Sequence, residues 1–342
     1  MSVKKSQKTK KRKLPVKKRE AKTLAVNYQP EPPDSYNHAI IRDLLSQHVA
    51  NETNPVSAEA IIFSKIIMHL SMPPNEQYKS GFRLGKLYYN QAVISRPKWY
   101  EDLIPELTKL FQKLGYMAKY QISGSRNPSI ILKSSANANL GLKMHSFEAG
   151  IMSGFLSGAK NAYMAMYESE CACDGADECI FELGRKEGTS TDKNSLIRNF
   201  ARHLATSHTK NGEHRDFSLL YNAMLLSTVK HVRGTMPEMH KLGEYSSKEF
   251  GLDKYNLGNS MRMISEIMRS VSASSSFESK GHEIKLTFDS LNSDSRYMDS
   301  LSQFASGLTN GAAKISVNLS DTGLSYALGI SFDAKLLKLK NK

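Results

Sequence analysis

With 342 residues, 40% of them apolar and 23% charged, and a net charge of +14, the chain has the composition of a globular protein with one large domain or two smaller ones. No stretch approaches the roughly 20 consecutive apolar residues of a membrane-spanning helix, and no apolar signal region follows the lysine-rich N-terminus. This pattern predicts a cytoplasmic protein without a transmembrane segment. Three cysteines exclude a disulfide-based scaffold and suit a reducing compartment.

Residues 1–35 are predicted to form a disordered basic tail followed by a proline-rich linker. The first 22 residues carry eleven Lys and Arg against one Glu, which is +10 of the net charge, and this repulsion with few apolar residues predicts disorder. Lysine-rich tails neutralise phosphates without reading bases, so we predict binding to nucleic acid, DNA or RNA. An anionic membrane surface and a merely solubilising tail remain alternatives. The predicted contact residues are Lys4, Lys5, Lys8, Lys10, Lys11, Arg12, Lys13, Lys17, Lys18 and Arg19.

The rest of the chain contains an internal repeat. At an offset of 149 residues, SGFLSGAKN (153–161) matches SQFASGLTN (302–310) at five of nine positions, and the order of the surrounding patterns agrees as well. A tandem duplication is therefore predicted, with chance similarity of two α+β modules as the alternative. The predicted divisions are a first module at 36–187, a linker at 188–214 and a second, degenerate module at 215–337.

Each module is predicted to read helix, helix, strand, strand, helix, strand, strand. Helical patterns occur at 81–90, 100–115 and 248–271, and period-2 alternation predicts antiparallel strands. The predicted strands lie at 116–123, 129–135, 162–170 and 179–183, and then at 275–281, 282–288, 314–319 and 325–332. The fold class is therefore α+β, with a roughly four-stranded antiparallel sheet covered by helices in each module.

The last helix of the first module has small residues at four-residue spacing, Gly150, Gly154 and Gly158. Glycine in a helix costs roughly 1 kcal/mol relative to alanine, so a close approach of another group is expected there. Contact with a small ligand, which would also involve Phe155, is one interpretation. Packing of the helix against the sheet or a partner subunit is the other.

The segment YESECACDGADECIFEL (167–183) holds every cysteine of the chain: Cys171, Cys173 and Cys179. Asp174-Gly175 predicts a tight turn between two strands, which would bring the thiols together. With His145 as a fourth ligand, they would form a metal site, and zinc is the metal that thiolates and imidazole favour. His203, His208 and His214 are alternative fourth ligands. Buried free thiols and a reversible disulfide are the competing interpretations.

This segment resembles the end of the 4-vinyl reductase domain, in which a glycine-rich helix and a strand precede Glu-x-x-Cys, a glycine and a second cysteine. The matching residues are Glu168, Cys171, Gly175, Cys179 and Phe181. The resemblance covers about 57–183, with a weaker match at 216–332 that lacks the glutamate and both cysteines. It implies the fold of the small adaptor subunits of the TRAPP vesicle-tethering complex, and a module that binds small hydrophobic molecules.

The sequence contains no recognisable constellation of catalytic residues, so an enzyme is not the favoured interpretation. We predict a non-catalytic regulatory protein that binds a small hydrophobic ligand or a partner and is attached to nucleic acid by its tail. Self-association or association with another chain is compatible with the two modules. The alternatives are a metal-dependent enzyme of tetrapyrrole or other hydrophobic-substrate metabolism, and an adaptor for protein assembly.

Overall fold

The structure is a computed structural model of the chain. It describes residues 55–92, 100–122, 128–133, 143–184, 192–209, 216–229, 233–252, 257–273, 276–288, 295–319 and 325–332. These residues belong to one compact unit. The basic tail and its predicted nucleic-acid contacts lie outside them. None of the helices described is long and apolar enough to cross a membrane.

The first module consists of a short strand, three helices and a sheet that a fourth helix interrupts. In chain order its elements are β1 (Pro55–Ser57), α1 (Ala58–Ser71), α2 (Pro74–Ala92), α3 (Tyr100–Lys113), β2 (Met117–Gln121), β3 (Ser129–Lys133), α4 (Ser146–Lys160), β4 (Met166–Glu170) and β5 (Cys179–Leu183). Ser57 caps α1 by accepting a hydrogen bond from the Ala60 amide. The sheet order is β2-β3-β5-β4, and every neighbouring pair is antiparallel.

The second module repeats this arrangement. After α5 (Lys193–Thr209) come β6 (Asp216–Ser218), α6 (Leu219–Thr228), α7 (Met236–Glu249), α8 (Leu257–Val271), β7 (Ser276–Lys280), β8 (Glu283–Phe288), α9 (Ser295–Leu308), β9 (Ala313–Leu319) and β10 (Tyr326–Phe332). Ser218 caps α6 as Ser57 caps α1. The antiparallel order β7-β8-β10-β9 has the same topology as the first sheet.

The predicted fold class is therefore confirmed: two similar α+β modules, each with a four-stranded antiparallel sheet and helices. Each module has a helix that the predicted element order lacks. These helices are α1 and α6, which precede the first predicted helix of their modules. Both are buried along nearly their whole length, so their sequences are apolar on every side and lack the period of a half-exposed helix. The stretch 188–214, treated as a linker, contains the helix α5.

The two modules pair through their first strands. Strands β1 and β6 form a small antiparallel sheet in which Val56 lies opposite Phe217. Ser57 and Ser218, the two capping residues, lie at opposite ends of this pairing, each against the first residue of the other strand. Equivalent residues thus exchange places across the pair, which is the pattern of a local twofold axis.

Side chains from one module also enter the core of the other. The ring of Phe63 on α1 lies 6.3 Å from Phe200, 5.8 Å from Tyr297 and 5.2 Å from Phe304, all of which follow the first sheet in the chain. All four side chains are fully buried. Because aromatic contacts of this kind exclude water between the modules, the two sheets and their helices share one hydrophobic core.

Glycines hold helices α2 and α4 in backbone contact. A methyl group added at Gly85 would collide with the Ile151 carbonyl oxygen, and one at Gly154 would collide with the Phe82 carbonyl oxygen. In the second module, Gly243 and Gly307 bring α7 and α9 together in the same way. The small-residue spacing thus serves helix packing in both modules.

Candidate metal centre

Four side chains with metal-binding atoms meet at the end of the β4–β5 hairpin. His145 directly precedes α4, Glu168 lies on β4, Cys171 follows β4, and Cys179 begins β5. Their ligand atoms all lie within 4.8 Å of one another. The two Sγ atoms are 3.9 Å apart, and His145 Nδ1 lies 2.8 Å from Glu168 Oε1. Such a set of sulfur, nitrogen and oxygen donors could hold a metal ion.

A β-bulge and a tight turn bring these residues together. The register of β4 with β5 shifts between Glu168 and Glu170, and a bulge of this kind re-aims the residues that follow it. The chain then makes a 3₁₀ turn at Ala172–Asp174 and continues through Gly175 with a φ of 93°. The Asp174 amide donates to the Cys171 carbonyl at 2.9 Å, which closes the turn. This path returns the chain so that Cys179 faces Cys171.

The structure brings three of the four predicted ligands together and replaces the fourth. Strand β4 ends at Glu170, so Cys173 does not lie on the same strand face as Cys171 but in the 3₁₀ turn, where it is half-buried. It hydrogen-bonds to Cys171 yet lies outside the group of four ligand atoms. Glu168 belongs to that group, and sequence spacing did not indicate it as a ligand. Glu168 is, however, one of the residues on which the resemblance to the 4-vinyl reductase domain depends.

The imidazole and the carboxylate of the group stabilise each other. Burial opposes protonation of His145, but hydrogen bonds to Cys171 and Glu168 and the charges of nearby carboxylates outweigh burial and raise its pKa to about 9. Burial also raises the pKa of Glu168, although the hydrogen bond to His145 acts against that rise. His145 is 2% exposed, and its ring packs edge-on against Phe181 at 5.9 Å. The imidazole is therefore fixed in orientation.

The pKa values of the two buried thiols of the group depend on each other. Hydrogen bonds from Cys173 and then Cys179 lower the pKa of Cys171, with burial acting in the other direction. The hydrogen bond to Cys171, followed by burial, raises the pKa of Cys179. The Ala172 amide also donates to the Cys179 sulfur at 3.4 Å. The two thiols therefore titrate as a coupled pair.

A buried polar cluster lies next to this group and was not predicted from the sequence. Lys65 on α1 and Glu148 on α4 form an ion pair in which both side chains are fully buried. Lys65 also donates to the Met144 carbonyl at 3.2 Å, one residue before the candidate ligand His145. Tyr116 donates to Glu148 at 2.6 Å, and Tyr221 of the second module donates to the same carboxylate. The available signal was a lysine inside the apolar run IIFSKIIMH.

The predicted ligand-binding residues of α4 lie in packed surroundings. The α2 backbone fills the space over Gly150 and Gly154, and Phe155 is fully buried. Gly158 faces the ring of Tyr89. These positions therefore have protein atoms where a ligand was expected, and the group that approaches them is helix α2, which is neither the sheet nor a partner subunit.

The alternative fourth ligands do not join the site in the part of the chain that can be described. His203 lies on α5, where burial lowers its pKa, and it is not in the four-residue group. The side chains of His208 and His214 are outside the described residues. At the offset of 149 that relates the modules, the counterpart of Glu168 is Val317, which cannot bind a metal. The candidate centre thus belongs to the first module.

Comparisons with known proteins gave one match. No family model matches the chain, and no curated protein matches it either. Among solved structures, it is similar to a vinyl-4-reductase family protein from Methanocaldococcus jannaschii, with 21% identity and a TM-score of 0.24. The match covers 46% of this chain and 85% of that protein. This is a distant likeness of fold, and nothing about the candidate metal centre follows from it.

Proposed function

We propose that this chain is a non-catalytic, zinc-binding regulatory protein whose first module holds the metal and whose basic tail attaches it to nucleic acid. The observation that carries the metal part is the buried convergence of His145, Glu168, Cys171 and Cys179. Thiolates and imidazole are ligands that zinc prefers, and carboxylate is the third common type. The donor chemistry therefore fits zinc.

The spacing of the donors supports the same assignment. In a tetrahedral zinc site with Zn–S bonds of about 2.3 Å, two sulfurs lie roughly 3.8 Å apart. The Cys171 and Cys179 Sγ atoms are 3.9 Å apart. His145 and Glu168 are hydrogen-bonded at 2.8 Å and would separate slightly to admit an ion. Little rearrangement of the hairpin is needed for binding.

A structural role fits this site better than a catalytic one. Four protein ligands complete the coordination of zinc, whereas a catalytic zinc keeps one position for water or substrate. Cys171 is 2% exposed and Cys179 is fully buried, so a substrate has no direct approach to these sulfurs. Bound zinc would supply a cross-link between the β4–β5 hairpin and the start of α4. Its expected effect is stability of the first module.

Metal analysis of the purified chain tests this proposal. We expect one zinc per chain, lost on Cys171→Ser and on Cys179→Ser because each removes a ligand. Zinc at 1,000 times its dissociation constant should also stabilise the wild-type chain by about 4 kcal/mol in urea unfolding. Cys173→Ser is the matched control and should retain the metal. A wild-type chain without zinc, or full retention in Cys179→Ser, would contradict the assignment.

The nucleic-acid part of the proposal depends on how charge is distributed along the chain. The first 22 residues carry +10, and the remaining residues carry only +4. A tail of this charge binds phosphates by releasing counterions, so its affinity falls steeply with salt. Because the tail has no aromatic residue, base stacking does not contribute.

Deleting residues 1–22 tests the tail. We expect the full chain to bind a random-sequence DNA or RNA duplex with a steep dependence on salt, and the shortened chain to lose nearly all of this affinity. The melting temperature should not change, since the tail is predicted to make no core contacts. Equal binding by the shortened chain would place the nucleic-acid site in the modules. Retention on phosphatidylserine vesicles without binding to either duplex would assign the tail to membranes.

A further inference from the structure

We infer that Cys171 and Cys179 are also a redox site, which closes to a reversible disulfide when a peroxide reaches the hairpin. The disulfide itself depends on the geometry of the thiol pair and not on a bound metal. Its consequence for zinc depends on the proposed function above. Among the described residues, this pair is the one place where two thiols face each other inside the fold.

The backbone places the two cysteines as a cross-strand pair. Glu170 lies opposite Ile180, and continuing this register by one residue places Cys171 opposite Cys179. Directly opposite residues of antiparallel strands have Cα atoms about 4.5–5.5 Å apart, inside the range of about 4.4–6.8 Å that disulfides use. The Sγ atoms, now 3.9 Å apart, must approach to about 2.05 Å. Rotation of the two side chains and a small shift of the turn provide that movement.

The turn that links the cysteines can adjust and can admit a small oxidant. Its residues 172–178 are half-buried or exposed, unlike the two sulfurs that they cover. No atom lies within 4 Å of the position that a side chain at Gly175 would occupy. The turn therefore has room to move at Gly175, and hydrogen peroxide is close in size to water.

The chemistry is a balanced two-electron oxidation. Cys171, at 2% exposure, is the more accessible of the two sulfurs, which indicates it as the attacking atom. Its attack on a peroxide oxygen breaks the O–O bond and gives a sulfenic acid and one water. The Cys179 sulfur then attacks the sulfenic sulfur, the S–OH bond breaks, and a second water leaves with the Cys179 proton. Two thiols and one hydrogen peroxide thus become one disulfide and two waters.

Oxidation would change what the hairpin can bind. Cysteine binds zinc as the thiolate, and disulfide sulfurs do not replace thiolates, so the centre would retain only His145 and Glu168 as ligands. All three cysteines of the chain lie in this segment, so no other pair can substitute for the lost ligands. The site would therefore release zinc on oxidation and recover it after reduction by a dithiol.

Peroxide treatment of the full chain, both metal-free and zinc-loaded, tests the inference. We expect the metal-free chain to lose two of its three free thiols, and reduction with dithiothreitol to restore them. Cleavage at the acidic residues between Cys173 and Cys179 should leave two peptides joined until they are reduced. Cys173→Ser should form the same cross-link, which identifies Cys171 as the partner. In Cys179→Ser, dimedone should instead trap a sulfenic acid on Cys171.

The outcomes separate this inference from the zinc proposal. A cross-link in a chain that binds no metal would overturn the zinc proposal and support the redox site. Zinc binding in a chain whose thiols oxidise singly, or a cross-link between Cys171 and Cys173, would overturn the redox site. If the chain binds zinc and also forms the disulfide, release of zinc to a chelating dye should follow the loss of thiols with the same time course.

Discussion

Replacing Glu148 with glutamine is expected to destabilise the protein by about 3–5 kcal/mol, because it leaves a buried lysine without a counter-charge. Lys65 and Glu148 are both fully buried, and glutamine keeps the shape of the side chain while removing its charge. Urea unfolding measures the loss. Glu106→Gln is the matched control: its partner Lys109 is 61% exposed, so that change should cost no more than about 1 kcal/mol.

A double variant separates the ion pair from general packing. Lys65→Met together with Glu148→Leu removes both charges, and an apolar replacement of a buried pair is often neutral. We expect the double variant to be more stable than Glu148→Gln alone, although Tyr116 and Tyr221 then lose their shared acceptor. Equal losses in Glu148→Gln and Glu106→Gln would show that the buried pair contributes no more than a surface pair.

The same ion pair predicts a dependence of stability on pH. Burial alone would raise the pKa of Glu148, but the charges of Lys65 and His145 outweigh burial and lower it to about 2, from an ordinary value of 4.5. A carboxyl group whose pKa is lower in the folded protein stabilises it fully above the unfolded value. This contribution should therefore be lost as the pH falls from about 4.5 towards 2. The loss should be absent from Glu148→Gln.

Alanine at Gly154 is the second change with a large expected effect. The added methyl group would collide with the Phe82 carbonyl oxygen of α2, and a backbone atom cannot move aside without separating the helices. Alanine favours an isolated helix by about 1 kcal/mol, but we expect overpacking to dominate and the net loss to be about 3 kcal/mol. The midpoint of urea unfolding measures this loss of stability. Gly85→Ala, which adds a methyl group on α2, should lose a similar amount.

Gly158 provides the matched control on the same helix. Its nearest neighbour is the Tyr89 ring, with Cδ1 at 3.1 Å from the added methyl group, and a side chain can yield by a few tenths of an ångström. Gly158→Ala should therefore change stability by less than about 1 kcal/mol. Should Gly154→Ala be as stable as Gly158→Ala, the backbone contact between α2 and α4 would not be what these glycines provide.

The sequence predicted the features that depend on local patterns. Alternation along the strands predicted the two four-stranded sheets, and Asp174-Gly175 predicted the turn between the cysteines. The spacing of Gly150 and Gly154 predicted a close approach of another group, although not that the group is a helix of the same module. Each of these follows from residues a few positions apart. The two modules could also be recognised, because their helices and strands recur in the same order.

Features that depend on distant contacts could not be predicted. Helices α1 and α6 are buried on all sides by both modules, which removes the amphipathic period that identifies a helix. The approach of Lys65 to Glu148 joins helices that are distant in the chain. Glu168 enters the candidate centre because of a bulge in β4, and strand alternation alone gives no sign of a bulge.

X-ray absorption at the zinc edge of the purified chain tests the central claim most directly, because it reports the atoms bound to the metal. The account predicts two sulfur ligands at about 2.3 Å, with nitrogen and oxygen ligands at about 2.0–2.2 Å. These would be Cys171 and Cys179 with His145 and Glu168. A spectrum with nitrogen and oxygen ligands alone, and no sulfur, would contradict it.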